Sequence, residues 1–68
     1  MKPISGKRMC RILKKHGGVL VRKKSSHHAF QKGGNPMTVI VPVHGNRDLK
    51  PGTQHGIRRD AGLTEADL

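Results

Sequence analysis

Residues 1–47 of this chain contain no aspartate and no glutamate, although they hold eleven of its fourteen lysines and arginines. The four carboxylates, Asp48, Asp60, Glu65 and Asp67, all fall near the C-terminus. An unopposed positive field over so much of a 68-residue chain is the electrostatic footprint of a polyanion binder, and the formal charge is +10. Tyrosine and tryptophan are absent and Phe30 is the one aromatic, so the core of a single small domain must be thin and mostly aliphatic. Cys10 has no cysteine to pair with, which excludes an internal disulfide, fits a reducing cytoplasm, and makes it a small helix residue rather than a nucleophile. No apolar run approaches the roughly 20 residues of a membrane span. None follows the basic start Met1-Lys2-Pro3-Ile4-Ser5-Gly6-Lys7-Arg8 either, so no signal peptide is expected. The basic face also lacks the apolar stripe an interfacial helix buries.

With so few nucleophiles and carboxylates, chemistry falls to histidine. Arg22-Lys23-Lys24 runs directly into Ser25-Ser26-His27-His28-Ala29-Phe30. Imidazoles move protons near neutral pH and cations hold a phosphate, the two needs of phosphodiester cleavage without a metal.

The pattern predicts an α+β fold, with both helices on one face of a three-stranded antiparallel sheet and the other face open. Ser5 can cap a helix over about 5–16, with Met9, Ile12, Leu13 and His16 inward and Lys7, Arg8, Arg11, Lys14 and Lys15 outward. Strands are expected over about 18–24, 27–32 and 37–43, with a loop over 32–36 and Pro42 on a sheet edge. A second helix runs from Pro51 to about Ala61, closed by Gly62, and a short tail follows. Alternation along the second strand turns Phe30 and His28 toward the helices and His27, Ala29 and Gln31 to the open face. His28 is therefore expected to be structural and His27 to be the candidate catalyst. Arg22, Lys23 and Lys24 would hold phosphate, with Ser26, Lys32 and His44 as further contacts to the polyanion. His44 would lie close to the second helix's N-terminus, where an anion can bind.

Gly17, Val19-Leu20-Val21-Arg22, Ser26-His27-His28, Phe30, Val41-Pro42-Val43-His44, Asp48-Leu49-Lys50-Pro51-Gly52-Thr53, Ile57 and Ala61-Gly62-Leu63 follow one another in the order and spacing of a known family. From about Ser5 to Leu63 the chain resembles the HicA-type mRNA interferase toxins of bacterial toxin–antitoxin pairs. The resemblance implies a fold similar to double-stranded-RNA-binding domains, a catalytic histidine at His27, mRNA as substrate, and a HicB-type antitoxin that masks that histidine. With no carboxylate cluster in the chain, no cofactor is expected. Ser25 stands where the family usually has glycine, which predicts a strained or shifted turn. Gly18 replaces a usual aromatic, and Gln54 sits where an apolar residue is common. The competing reading is a non-catalytic RNA-binding module of the same layout, which needs no His27. A metal site built from Cys10, His16, His27, His28 and His44 is disfavoured, because adjacent strand histidines point apart and no metal-ligand spacing is present.

Overall fold

The computed structural model describes residues 2–68, Asn35 and Pro36 by their backbone alone; Met1, the start of the basic N-terminal run, lies outside the described residues. Helix α1 (Gly6–Lys15) is followed by strands β1 (Gly18–Lys24), β2 (His27–Lys32) and β3 (Asn35–Pro42), helix α2 (Pro51–Asp60) and a 3-10 turn (Glu65–Asp67). The sheet is an antiparallel meander in the order β1-β2-β3, with β2 in the centre. Residues from α1 and α2 join Phe30, Val39 and Val41 in one core, so both helices cover the same sheet face. Pro42 does end an edge strand, which spares the sheet a missing ladder donor.

Local chemistry explains the boundaries. The Ser5 side chain accepts the Arg8 N–H at 3.1 Å and starts α1. Helix α2 begins on Pro51 and ends with Leu63 N–H donating to the Arg58 carbonyl and Gly62 N–H to the Arg59 carbonyl. That reciprocal cap needs the left-handed φ of 70° at Gly62 and carries Leu63 into the core. The loop expected over 32–36 shrinks to the two residues Gly33-Gly34, because Gly34 at φ 81° closes a tight turn. β3 accordingly starts at Asn35 rather than 37, and it ends at Pro42 rather than 43. The tail is ordered into the 3-10 turn, where Asp67 accepts the Thr64 N–H at 2.8 Å and stands 3.7 Å from His16.

Three features depart from the pattern. Helix α1 buries Gly6, Met9, Cys10 and Leu13, while Ile12 and His16 are only half-buried. The stripe is rotated because Gly6 lies against the Pro42 carbonyl, where a Cβ would collide. At Gly18 a Cβ would sit 2.7 Å from the Leu13 carbonyl oxygen, so the end of α1 occupies the room an aromatic would take. Gln54, 1% exposed, is not an apolar substitute. Its Oε1 accepts the Ile4 N–H at 2.9 Å and its Nε2 donates to the Lys2 carbonyl at 2.6 Å. With Leu49 N–H donating to the Ile4 carbonyl at 2.8 Å, this amide ties the N-terminal segment down and delivers Ile4 to the core.

Candidate active site on the open sheet face

A β-bulge builds the site. In the β1–β2 ladder Leu20 opposes Phe30, Val21 has no partner, and Arg22, Lys23 and Lys24 oppose Ala29, His28 and His27. Directly opposed residues share a face. Strict alternation from Leu20, which shares the inward face of Phe30, would turn Arg22 inward and Lys23 outward. The extra residue at Val21 reverses this, so Arg22 and Lys24 join His27 on the open face. Arg22, Lys24, His27, Ala29 and Ile40 line one shallow depression there. Ala29 is its floor and is only 4% exposed, since its neighbours roof it.

The turn before His27 is held in an unusual conformation. Ser25 is the one non-glycine among the described residues with positive φ, 55°. A two-residue hairpin loop with positive φ at its first position favours glycine there, so the strained alternative expected for Ser25 is the one adopted. The Ser26 carbonyl accepts the Val43 N–H at 2.7 Å, which ties the turn to the end of β3. His27, paired with Lys24 on one side and Pro42 on the other, therefore projects from a strand held at both edges.

His28 has the opposite environment. It is half-buried, with Nδ1 3.8 Å from the Cys10 sulfur. Desolvation, with the nearby charges of Lys23 and Lys14, lowers its pKa below the ordinary histidine value. Burial pushes the Cys10 thiol up, which suits a packing residue and not a nucleophile.

The other expected RNA contacts divide. Lys23 is turned to the His28 side of the sheet by the bulge and is not in the depression. Lys32 lies at the far end of β2, opposite Gly18 and Asn35, about 16 Å along the strand from His27. Ser26 is half-buried in the turn beside His27. His44, two residues past β3, is exposed in a second depression with Pro42, Arg47, Asp48, Lys50 and Thr53, beside the start of α2. Arg47, Lys50 and Ile40 were not foreseen. Ile40 could have been found by alternation, since Val39 and Val41 flank it on the inward face. Among the described residues no three His, Cys, Asp or Glu side chains cluster where they could hold a metal ion, and the sheet separates Cys10 and His28 from His27. Among the described residues no helix is long and apolar enough to cross a membrane.

A family model described as the HicA toxin of bacterial toxin–antitoxin matches residues 6–63. No curated protein matches the chain.

Proposed function

We propose a function from one premise: the chain belongs to the HicA toxin family of bacterial toxin–antitoxin systems. The toxin acts as an endoribonuclease that cuts mRNA and so arrests translation. The observation that carries this reading is the bulge at Val21, which brings Arg22 and Lys24 to the side of His27.

Arg22 and Lys24 hold the scissile phosphate and offset the charge that builds on it in the transition state. His27 transfers a proton, taking it from the ribose 2′-hydroxyl as base or giving it to the departing 5′-oxygen as acid. In both cases the 2′-oxygen bonds to phosphorus and the bond to the 5′-oxygen breaks. The products are a 2′,3′-cyclic phosphate and a 5′-hydroxyl. The depression contains no carboxylate, the oxygen ligand from which magnesium sites are built. One placed proton-transfer group contributes about 10²–10⁴-fold, so turnover is slow, which is sufficient for a toxin.

Membership of the family implies a cognate antitoxin. We place a HicB-type antitoxin over the open face, masking His27. The mixture there of cations with exposed Val19, Val21 and Ile40 suits a partner with an apolar centre and an acidic rim.

Replacing Arg22 and Lys24 with glutamine tests the phosphate role. The double variant is expected to bind RNA less tightly, whatever its sequence, and to lose about 0.7 per missing phosphate contact from its salt dependence on single strands. Unchanged affinity and salt slope would remove both cations from the site.

A further inference from the structure

The basic face of α1 is left unexplained by a site on the opposite side of the sheet. Lys7, Arg8, Arg11, Lys14 and Lys15 are all exposed, and the bland account is a solvated helix surface. The acids near them are not evenly placed. Asp67 lies close enough for its charge to couple to Lys15, and Glu65 shares a depression with Arg8. Both belong to the C-terminal tail, on one flank of the helix. Lys7 and Lys14 fall on the other flank, with Arg11, which shares a depression with Arg8 and Lys15, on the crest beside them. The three lie about 5–6 Å from one to the next at i, i+4 and i+7 spacing. That flank adjoins the edge strand β1. Cys10, one turn before Lys14, meets His28, and His28 is the ladder partner of Lys23. Lys23 and Lys14 thus both lie near the same imidazole, whose pKa is lowered first by desolvation and further by these two charges. Past Lys23 the strand presents Arg22 and Lys24 on the open face.

We infer that Lys7, Arg11, Lys14 and Lys23 form a cationic belt that leads an RNA strand from α1 around the β1 edge to His27. The inference rests on the RNA-cutting role proposed above and adds a path for the substrate. The molecule is 18 Å across in its shortest dimension, so one strand can touch both surfaces by rounding this edge. The belt gives Lys23 a place that the open face denies it. An acidic protein is the other class of partner such a surface attracts. Single-file cations that run on into a phosphate-binding depression favour a linear polyanion instead.

The test replaces Lys7, Arg11 and Lys14 together with glutamine and compares two substrates. One is a trinucleotide, which occupies the open face alone. The other is a single strand of about 30 nucleotides, longer than the roughly 4–16 that a small single-strand binder covers. The belt requires KM for the long RNA to rise about tenfold or more, with kcat unchanged and trinucleotide cleavage unaltered. It also requires the salt slope of binding to fall by about 2, three contacts at about 0.7 each. An unchanged KM and slope for the long RNA would reduce the face to solvated surface. Equal losses on both substrates would mean structural damage and would also overturn the belt. Fluorescence anisotropy of the same RNAs on His27→Ala chains, with and without the triple substitution, reads the belt without cleavage. A parent chain that never cuts RNA would thus sink the nuclease reading and still leave the belt to be judged. Loss of poly-glutamate binding with RNA affinity intact would give the surface to an acidic protein.

Discussion

The two faces of the sheet use similar material for different ends. On the covered face Phe30, Val39 and Val41 meet Met9, Leu13 and Ile57, and Phe30 is 2% exposed. On the open face Val19 and Ile40 remain 60% and 50% exposed beside Arg22, Lys24 and His27. Neighbouring histidines show the division most directly. His28 is half-buried against Cys10 between two lysines; His27, one residue earlier, projects from the other side. A fold with an aliphatic core and two helices concentrates its stability on one side. The other side is free to carry exposed cations and an exposed histidine, groups whose charges would be costly to bury.

That division predicts separable effects. The largest belongs to His27→Ala, which should lower the cleavage rate by about 10²–10⁴-fold. An exposed position away from the core should change stability by no more than about 0.5 kcal/mol. Steady-state kinetics beside a urea titration checks both halves, and a matching loss of stability would break the separation.

Next comes Gln54→Leu, which is expected to reverse the pattern. It leaves the Ile4 N–H without its acceptor and should cost about 1–3 kcal/mol, with kcat of the folded chain unchanged. A smaller change is expected from Ser25→Gly. Relief of a left-handed serine is worth about 1–2 kcal/mol, and glycine's larger unfolded-state entropy returns about 0.5–1 kcal/mol of it. The net gain is about 0–1.5 kcal/mol in chemical denaturation, and a loss would mean that the turn is not strained.

The smallest effect is the pH dependence contributed by His28. Its folded pKa is lowered from the ordinary 6.5, so the unfolded chain binds the proton more readily. Its contribution to stability is complete above about pH 6.5. It is lost as the pH falls from there through the folded pKa. Denaturation midpoints across this range should drop less steeply in His28→Gln than in the parent. Identical slopes would take His28 out of the covered face's energetics.

Much of this arrangement was legible in the chain. The Ser5 cap, the Pro51 start, the Gly62 stop and the alternation that separates His27 from His28 are local signals, and the structure follows them. The family resemblance extends over almost the same residues as the family match. What escaped depends on contacts distant in sequence. No residue marks the bulge at Val21, which exists only in the register between β1 and β2, so Lys23 was grouped with Arg22 and Lys24 as a phosphate contact. The Gln54 clamp joins residues about fifty positions apart. Ile4, Leu49 and Leu63 sit outside the helices and strands, where periodicity cannot assign them to the core. At Gly18 the missing aromatic was legible, but the approach of the Leu13 carbonyl that replaces it was not.

The most direct test of the open face as a nuclease site is an analysis of RNA ends produced in excess chelator. Parent chain and His27→Ala would be incubated with one single-stranded RNA at equal protein concentration. The account predicts 2′,3′-cyclic phosphate and 5′-hydroxyl ends from the parent, undiminished by chelation, and about 10²–10⁴-fold fewer from His27→Ala. Ends bearing 5′-phosphate, cleavage that stops on chelation, or equal yields from the two chains would contradict it.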